Sequence, residues 1–186
     1  MPDVCKDEIT FIGLDDCKIT PVGGSATDLP GIQSMSANPG IWHTLLRGDN
    51  IVIAQDSGFN GECPIDLVNA ILPLKLLATL LGTTATESGA TPAVVRTMEI
   101  NAAGKFVEFK LEFQCKRVHS TQSTLTLPGD VHVVFPKCRI KTFPNIAMGD
   151  FEFKPFSFQA HCVSDPTDTD GLMFKIVTNE TAVAIV

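Results

Sequence analysis

The side chains that could do chemistry are numerous in this chain, but their spacing builds no working centre. His161 and Cys162 are adjacent, so on a strand they point to opposite faces. Cys115 and His119 share parity, yet tetrahedral zinc takes four ligands and no Cys-x-x-Cys or His-x-x-x-His pair accompanies them. Asp165, Asp168, Asp170 and Gly171 look like part of a calcium loop. Counting back from Gly171, however, the first ligand position falls on Pro166, and no glutamate closes the loop. A solvated acidic turn accounts for the same residues. Glu108 and Glu112 are paired carboxylates, but Lys110 stands between them at the same parity. That arrangement reads as charge balancing and not as a tuned acid/base pair. There is no Gly-x-Ser-x-Gly elbow and no phosphate-binding loop. Arg47–Gly48–Asp49 matches an adhesion tripeptide, but three residues match often by chance and a hairpin turn is the stronger reading. Asn179–Glu180–Thr181 is a glycosylation sequon, which needs a secretory route, and no signal peptide is visible. The expectation is a protein that is not an enzyme, with no metal and no cofactor.

Composition points the same way. The 186 residues fit one domain and can bury a core without metals or disulfides. Phe is the dominant aromatic, with 12 copies against one Trp and no Tyr, and Phe brings packing without a hydroxyl. The net charge of −7 is local: residues 1–90 hold 4 basic and 11 acidic groups, residues 91–186 hold 10 of each. An acidic face argues against tight gripping of nucleic acid through phosphates, while allowing DNA to pass without sticking. Six cysteines, at 5, 17, 63, 115, 138 and 162, are expected as reduced thiols, because three of them lie in apolar strand patterns. The most apolar window, 64–81, contains Asp66, Pro73 and Lys75, so no membrane insertion is expected.

The elements that would position these residues are mostly strands. The clearest is the run from Lys105 to Val118. Val107, Phe109, Leu111, Phe113 and Cys115 share one parity, and Glu108, Lys110, Glu112, Gln114 and Lys116 the other. Period two places the first set on the core and the second on a wet or shared face. No aromatic lies on that second face to stack bases. Shorter strands are expected at Ile9–Leu14, Lys18–Val22, Trp42–Leu46, Ile51–Ala54, Val94–Ile100, Val131–Phe135, Cys138–Thr142, Phe156–Cys162, Leu172–Val177 and Thr181–Ile185. Phe151 and Phe153 share one parity, and Phe156 and Phe158 the other, which predicts a β-bulge at Lys154–Pro155. Extended loops are expected at about 23–38, 47–50 and 82–92, where Gly, Pro, Ser and Thr cluster. One helical segment is expected at about 64–81, with Pro64 in its first turn, a kink or break at Pro73 and Gly82 as its stop. The fold class is mainly β: an antiparallel sandwich or part-barrel with one helical segment, over a single domain 1–186.

Several blocks, taken in order, resemble the major tail tube proteins of long-tailed bacteriophages and the related tubes of contractile injection machines. They are the short strand 9–14 and its Gly/Pro-rich loop, LLRGDNIVIA at 45–54, and CPIDLVNAILPLKLLATLLG at 63–82. KFVEFKLEFQCKRV at 105–118, VHVVFPKCRIK at 131–141 and GDFEFKPFSFQAHCVSDPTDTDGLMFKIV at 149–177 follow. The resemblance implies a virion protein, made in the host cytoplasm, that assembles with itself into rings, commonly hexameric, stacked into a hollow tail tube for DNA ejection. It implies tape-measure, tail-terminator and baseplate or distal tail proteins as partners, with DNA as a transient, non-specific passenger. Carried onto this chain, the lumen or ring-strand candidates are Glu108, Lys110, Glu112, Gln114 and Lys116. The inter-ring loop candidates are Asp28, Arg47, Asp49, Asn50 and Glu87. Long strands would join an intersubunit barrel, which removes the exposed edges a monomer would carry. Two other readings stand beside it. One is another ring-forming tail component: a distal tail, terminator or contractile-tail tube protein. The other is a small β-sandwich module holding a hydrophobic ligand in a pocket lined by some of the Phe residues. A cluster of His119, His132 or His161 with Cys and Asp would instead revive an enzyme.

Overall fold

A computed structural model describes residues 11–48, 51–71, 73–101, 104–117, 129–142, 155–164, 171–179, 181 and 183–185. Its elements are β1 (Phe11–Pro21), β2 (Thr27–Asp28), β3 (Ile32–Ala37), β4 (Ile41–Gly48), β5 (Ile51–Phe59), β6 (Glu62–Asn69), α1 (Leu74–Leu80), β7 (Ala85–Ser88), β8 (Val95–Met98), β9 (Phe109–Arg117), β10 (Asp130–Thr142), β11 (Phe156–Val163) and β12 (Lys175–Asn179). The protein is mainly β and its strand pairs are antiparallel. One 8-stranded sheet runs β2-β1-β9-β10-β11-β6-β3, with β12 also on β10. Among the described residues it curls around the core without closing into a barrel. Two hairpins, β4-β5 and β7-β8, pair outside it.

The alternation in the 105–118 run is realised as β9. Phe109, Leu111 and Phe113 are fully buried, Cys115 nearly so, and Val107 half-buried just ahead of the strand. Regular pairing begins only at Phe109, so β9 is shorter than the alternating run. The two short strands expected at 131–135 and 138–142 are one element, β10. Its register on β9 shifts between Phe135 and Cys138, where Pro136 can supply no ladder N–H. The strands expected at 9–14 and 18–22 are likewise one element, β1, with a shift between Ile12 and Asp16. Phe151, Phe153 and the bulge at Lys154 lie outside the described residues, as do Cys5, His119 and the acidic turn 165–170.

The helical segment is a correction. Residues 64–69 belong to β6, and the helix is only Leu74–Leu80. Cys63, Ile65, Leu67 and Asn69 are buried while Pro64, Asp66 and Val68 alternate with them, a period of two that the apolar density of the segment masked. Pro64 starts no helix. It faces His161 on β11, and its carbonyl accepts the Asn38 N–H at 3.1 Å just beyond the end of β3. Pro73, extended at ψ 124°, divides strand from helix. Leu76, Leu77, Ala78, Leu80 and Leu81 then join the core.

The loops at 23–38, 47–50 and 82–92 need correcting too. Half of the first is β2 and β3, sewn to β1 and β6, and Leu29 between them is buried with its N–H on the Cys17 carbonyl at 2.8 Å. Arg47 and Gly48 continue β4, and Asp56–Phe59, which also reads as loop, completes β5. Residues 85–88 pair with 95–98. Polar composition hid all three, because an edge strand or a free hairpin has no buried face to advertise.

Gly82 does stop the helix. At φ 67° it gives its N–H to the Thr79 carbonyl, and Thr83 gives its N–H to Ala78, closing a Schellman-type turn. A Cβ at Gly82 would also collide with the Lys105 carbonyl oxygen, whereas Gly23, at φ 76°, has open space around it. Gly23→Ala is therefore expected to cost only the left-handed backbone term, about 1–2 kcal/mol. Gly82→Ala is expected to cost more. The check is the shift of urea midpoints at constant slope, and equal shifts would show that the Lys105 contact does not matter.

Candidate assembly surfaces

The outer face of β9 carries the five predicted lumen residues, and each finds a local partner. Glu108 meets Arg139 Nη2 at 2.6 Å and Lys137 Nζ at 3.8 Å. Lys110 meets Glu112 at 2.8 Å, two residues along the same face. Lys116 meets Asp15 on β1 at 3.4 Å. The lysines that interrupt this acidic row are thereby neutralised. Such half-exposed pairs contribute little stability and mainly cancel charge.

Gln114 belongs to a different arrangement, which sequence reasoning missed. Its Nε2 donates to the Asp130 carboxylate at 2.6 Å and to the Val183 carbonyl at 3.1 Å. Asp130 is buried at the start of β10, and its oxygens also accept the Asn179 amide at 2.7 Å and the Val183 N–H at 2.7 Å. His132 Nε2 lies 3.1 Å away. One carboxylate thus ties β9, β10, β12 and the segment after β12 together. Burial pushes the Asp130 carboxyl up, but the Val183 N–H, Asn179 and His132 outweigh it and hold the group below the usual carboxylate range. No spacing in the sequence marks this cluster, since its members lie on three strands and a connecting segment.

The inter-ring candidates are scattered. Asp28 sits on β2, 3.8 Å from Lys18. Glu87 sits on the β7-β8 hairpin, where Lys75 at 3.4 Å and Arg96 at 3.3 Å hold its carboxyl below the usual range. Arg47 lies in β4, opposite Val52, while Asp49 and Asn50 lie outside the described residues.

The β4-β5 hairpin is exposed over nearly all of its described side chains. Ile41 faces Phe59 and Leu45 faces Gln55 across it, so Ile41, Phe59 and Leu45 share one side. They are 68, 63 and 37% exposed. Trp42 lies on the other side over Gly58, where any Cβ would come within 3.0 Å of its ring.

The described histidines of the main sheet each lie beside a carboxylate. His132 meets Asp130 and His161 meets Glu62 at 3.3 Å. Among the described residues no group of three His, Cys, Asp or Glu is placed to hold a metal ion. Cys17, Cys63, Cys115, Cys138 and Cys162 are free and buried. Cys138, Cys162 and Cys63 lie opposite one another on β10, β11 and β6. The hydrogen bond with Cys162, burial and the neighbouring sulfurs hold the Cys138 thiol protonated, so it is a core residue and not a nucleophile. Where β1 and β3 fail to pair, an open cleft of about 340 Å³ is lined by Gly13, Leu14, Ser34, Met35, Cys115 and Val133. A second open hollow, of about 400 Å³, is lined by Asp66, Leu67, Val68, Thr142, Ser157, Phe158 and Gln159.

Replacing Asp130 by Ala strands the Val183 N–H and the Asn179 and Gln114 amides, and should destabilise the fold by about 1–3 kcal/mol. Because its pKa is lowered on folding, the Asp130 contribution is complete above the ordinary carboxylate value of about 3.9. It is lost as pH falls through the lower folded value. Denaturation from pH 6 down to pH 2 should therefore show an acid-sensitive component in the wild type that Asp130→Asn lacks; parallel curves would sink the assignment.

No family model matches this chain. None of the curated proteins compared with it matches its sequence.

Proposed function

We propose that this protein is a structural subunit that assembles with itself into stacked rings, forming the hollow tail tube of a phage-type particle through which DNA leaves. The observation that carries the reading is the β4-β5 hairpin. It pairs only with itself among the described residues, and a two-stranded hairpin alone is marginal in water. It nevertheless exposes Ile41, Trp42, Leu45 and Phe59 together. Large apolar side chains grouped on a projecting element mark an interaction site.

A second copy of the same chain is the natural partner. Among the described residues the large sheet ends in two unpaired edges, β3 at one end of the strand order and β2 with the outer part of β1 at the other. Edges of this kind template pairing with another strand. Here the two edges, β1 and β3, face each other across the open cleft; a projecting hairpin of one copy reaching an edge of the next would be a head-to-tail contact, the kind that closes into rings or extends into filaments. The β9 outer face, with Glu108, Lys110, Glu112, Gln114 and Lys116, is the proposed lumen wall. Its cations are already paired with acids, so the wall offers passing DNA few free positive charges. No helix is long and apolar enough to cross a membrane among the described residues, and the proposed location is the virion tail.

Negative-stain microscopy and sedimentation velocity on the purified chain test this directly. Rings or tubes are expected. Ile41→Asp with Phe59→Asp should abolish them while leaving the unfolding free energy within about 0.5 kcal/mol, as for exposed sites generally. A wild-type chain that stays a monodisperse monomer at its highest soluble concentration overturns the reading.

A further inference from the structure

Three thiols stand side by side in the core, and the ladder hydrogen bonds decide which two can be joined. Cys138 on β10 lies opposite Cys162 on β11, and Cys162 lies opposite Cys63 on β6. All three are fully buried. The two contacts are not equivalent. The Pro64 and Glu62 carbonyls of β6 accept from the Asn38 N–H at 3.1 Å and the Gly40 N–H at 3.0 Å, on the β3 side. Successive carbonyls of a strand point to opposite edges, so those of Gly61 and Cys63 face β11. The Ser164 N–H, 3.1 Å from the Gly61 carbonyl, agrees. Cys63 and Cys162 are therefore a hydrogen-bonded pair. Cys162 turns its backbone groups to β6, so its pairing with Cys138 on the other edge is of the non-hydrogen-bonded kind.

Side chains stand closest in non-hydrogen-bonded pairs, with Cα atoms about 4.5 Å apart against about 5.5 Å in the other kind. A disulfide wants Cβ atoms about 3.8 Å apart. The Cys138–Cys162 pair meets that requirement with the smaller movement, and its thiols are already hydrogen-bonded to each other. That bond, with help from the Lys137 N–H, outweighs burial and holds the Cys162 thiol below the usual range. Cys162 is the sulfur that ionises first. The thiols also lie where the ladder ends. Cys63 is the second residue of β6, Cys162 is the last but one of β11, and Ser164 beyond it is only half-buried. Strand ends open at lower free energy than strand centres, and opening admits a small solute.

We propose that Cys138 and Cys162 are an oxidisable pair, which hydrogen peroxide converts into a cross-strand disulfide joining β10 to β11, with Cys63 left as a free thiol. The Cys162 thiolate attacks a peroxide oxygen, the O–O bond breaks, hydroxide leaves, and Cys162 becomes a sulfenic acid. That hydroxide and the proton Cys162 had lost make the first water. Cys138 then no longer faces a thiolate that holds its proton in place. Its sulfur attacks the sulfenic sulfur, the S–O bond breaks, and the departing hydroxide leaves with the Cys138 proton as the second water. Two thiols and one peroxide thus give one disulfide and two waters, the sulfurs losing two electrons to the peroxide oxygens. The bridge restrains the unfolded chain and so favours the folded one. It concerns the core of the subunit and stands whether or not subunits form a tube.

The test exposes the folded full chain to hydrogen peroxide, alkylates the remaining thiols in denaturant and maps the peptides by mass spectrometry. The expected product is a Cys138–Cys162 linked peptide, short of two hydrogens, with Cys63 alkylated. Dithiothreitol should restore both thiols. At a given urea concentration the oxidised chain should have an unfolding constant about a hundredfold lower than the reduced one, the usual effect of one cross-link. Cys63→Ala should keep the bridge and the gain, and Cys138→Ala should lose both. Should Cys138→Ala fail to fold, the wild-type peptide map decides. A bridge from Cys138 or Cys162 to any other cysteine overturns the pairing. Sulfinic acid at Cys162 without a bridge, or thiols that all remain open to alkylation, overturns it too. So does a bridge that forms only after the chain is unfolded. Ring formation is read separately, so each of these failures leaves the tube reading where it stands.

Discussion

Strand β10 has to satisfy three neighbours, and most of the fold follows from how it does so. Asp130–Val134 lies between β9 and β12, while Cys138–Thr142 lies against β11. A single regular strand has two edges, so the partner on one edge must change along its length. The change is made at Pro136, where the ladder needs no N–H and the register shifts. Phe135 packs edge-on against Phe113, with ring centres 6.2 Å apart, and against Phe174 at 5.8 Å. The bulge thus sits beside the aromatic centre of the core.

The two ends of β10 carry opposite chemistry for the same reason. The Cys138 end is dry: its neighbours Cys162 and Cys63 are fully buried on β11 and β6, and small thiols let three strands approach closely. The Asp130 end is polar but equally enclosed. A buried carboxylate is costly unless its lone pairs are filled, and here β9, β12 and the following segment each donate to it. The carboxylate therefore specifies a meeting point of elements where an apolar residue would only add burial.

Against this enclosed core stands the β4-β5 hairpin, whose described side chains are nearly all exposed. Apolar residues pay no stability dividend while they face water. Ile41, Phe59 and Leu45 on one side of the hairpin, and Trp42 on the other, make sense when another surface covers them. That contrast supports the proposed self-assembly more than any similarity of sequence blocks does.

Strand β9 was legible before any coordinates, because a half-buried strand writes its two faces into alternating residues: Phe109, Leu111 and Phe113 inward, Lys110, Glu112 and Gln114 outward. Gly82 was legible too, since a helix stop needs a backbone that few other residues adopt. β6 was misread because Val68 fills in its alternation and the apolar run continues past its end through Ile71 and Leu72 in the sequence, and a dense apolar run has no clear period. β2, β3, β7 and the second half of β5 were misread as loops because edges and free hairpins have no second face to keep apolar. The Asp130 cluster could not be read at all. Sequence by itself determined the local matters, namely the mainly β class, the core parity of β9 and the helix stop. Each depends on residues within one element. Only the tertiary structure decided which strands share β10, which face is covered and which hairpin is left bare, because those are contacts between residues far apart in the chain, set by the packing of the whole sheet.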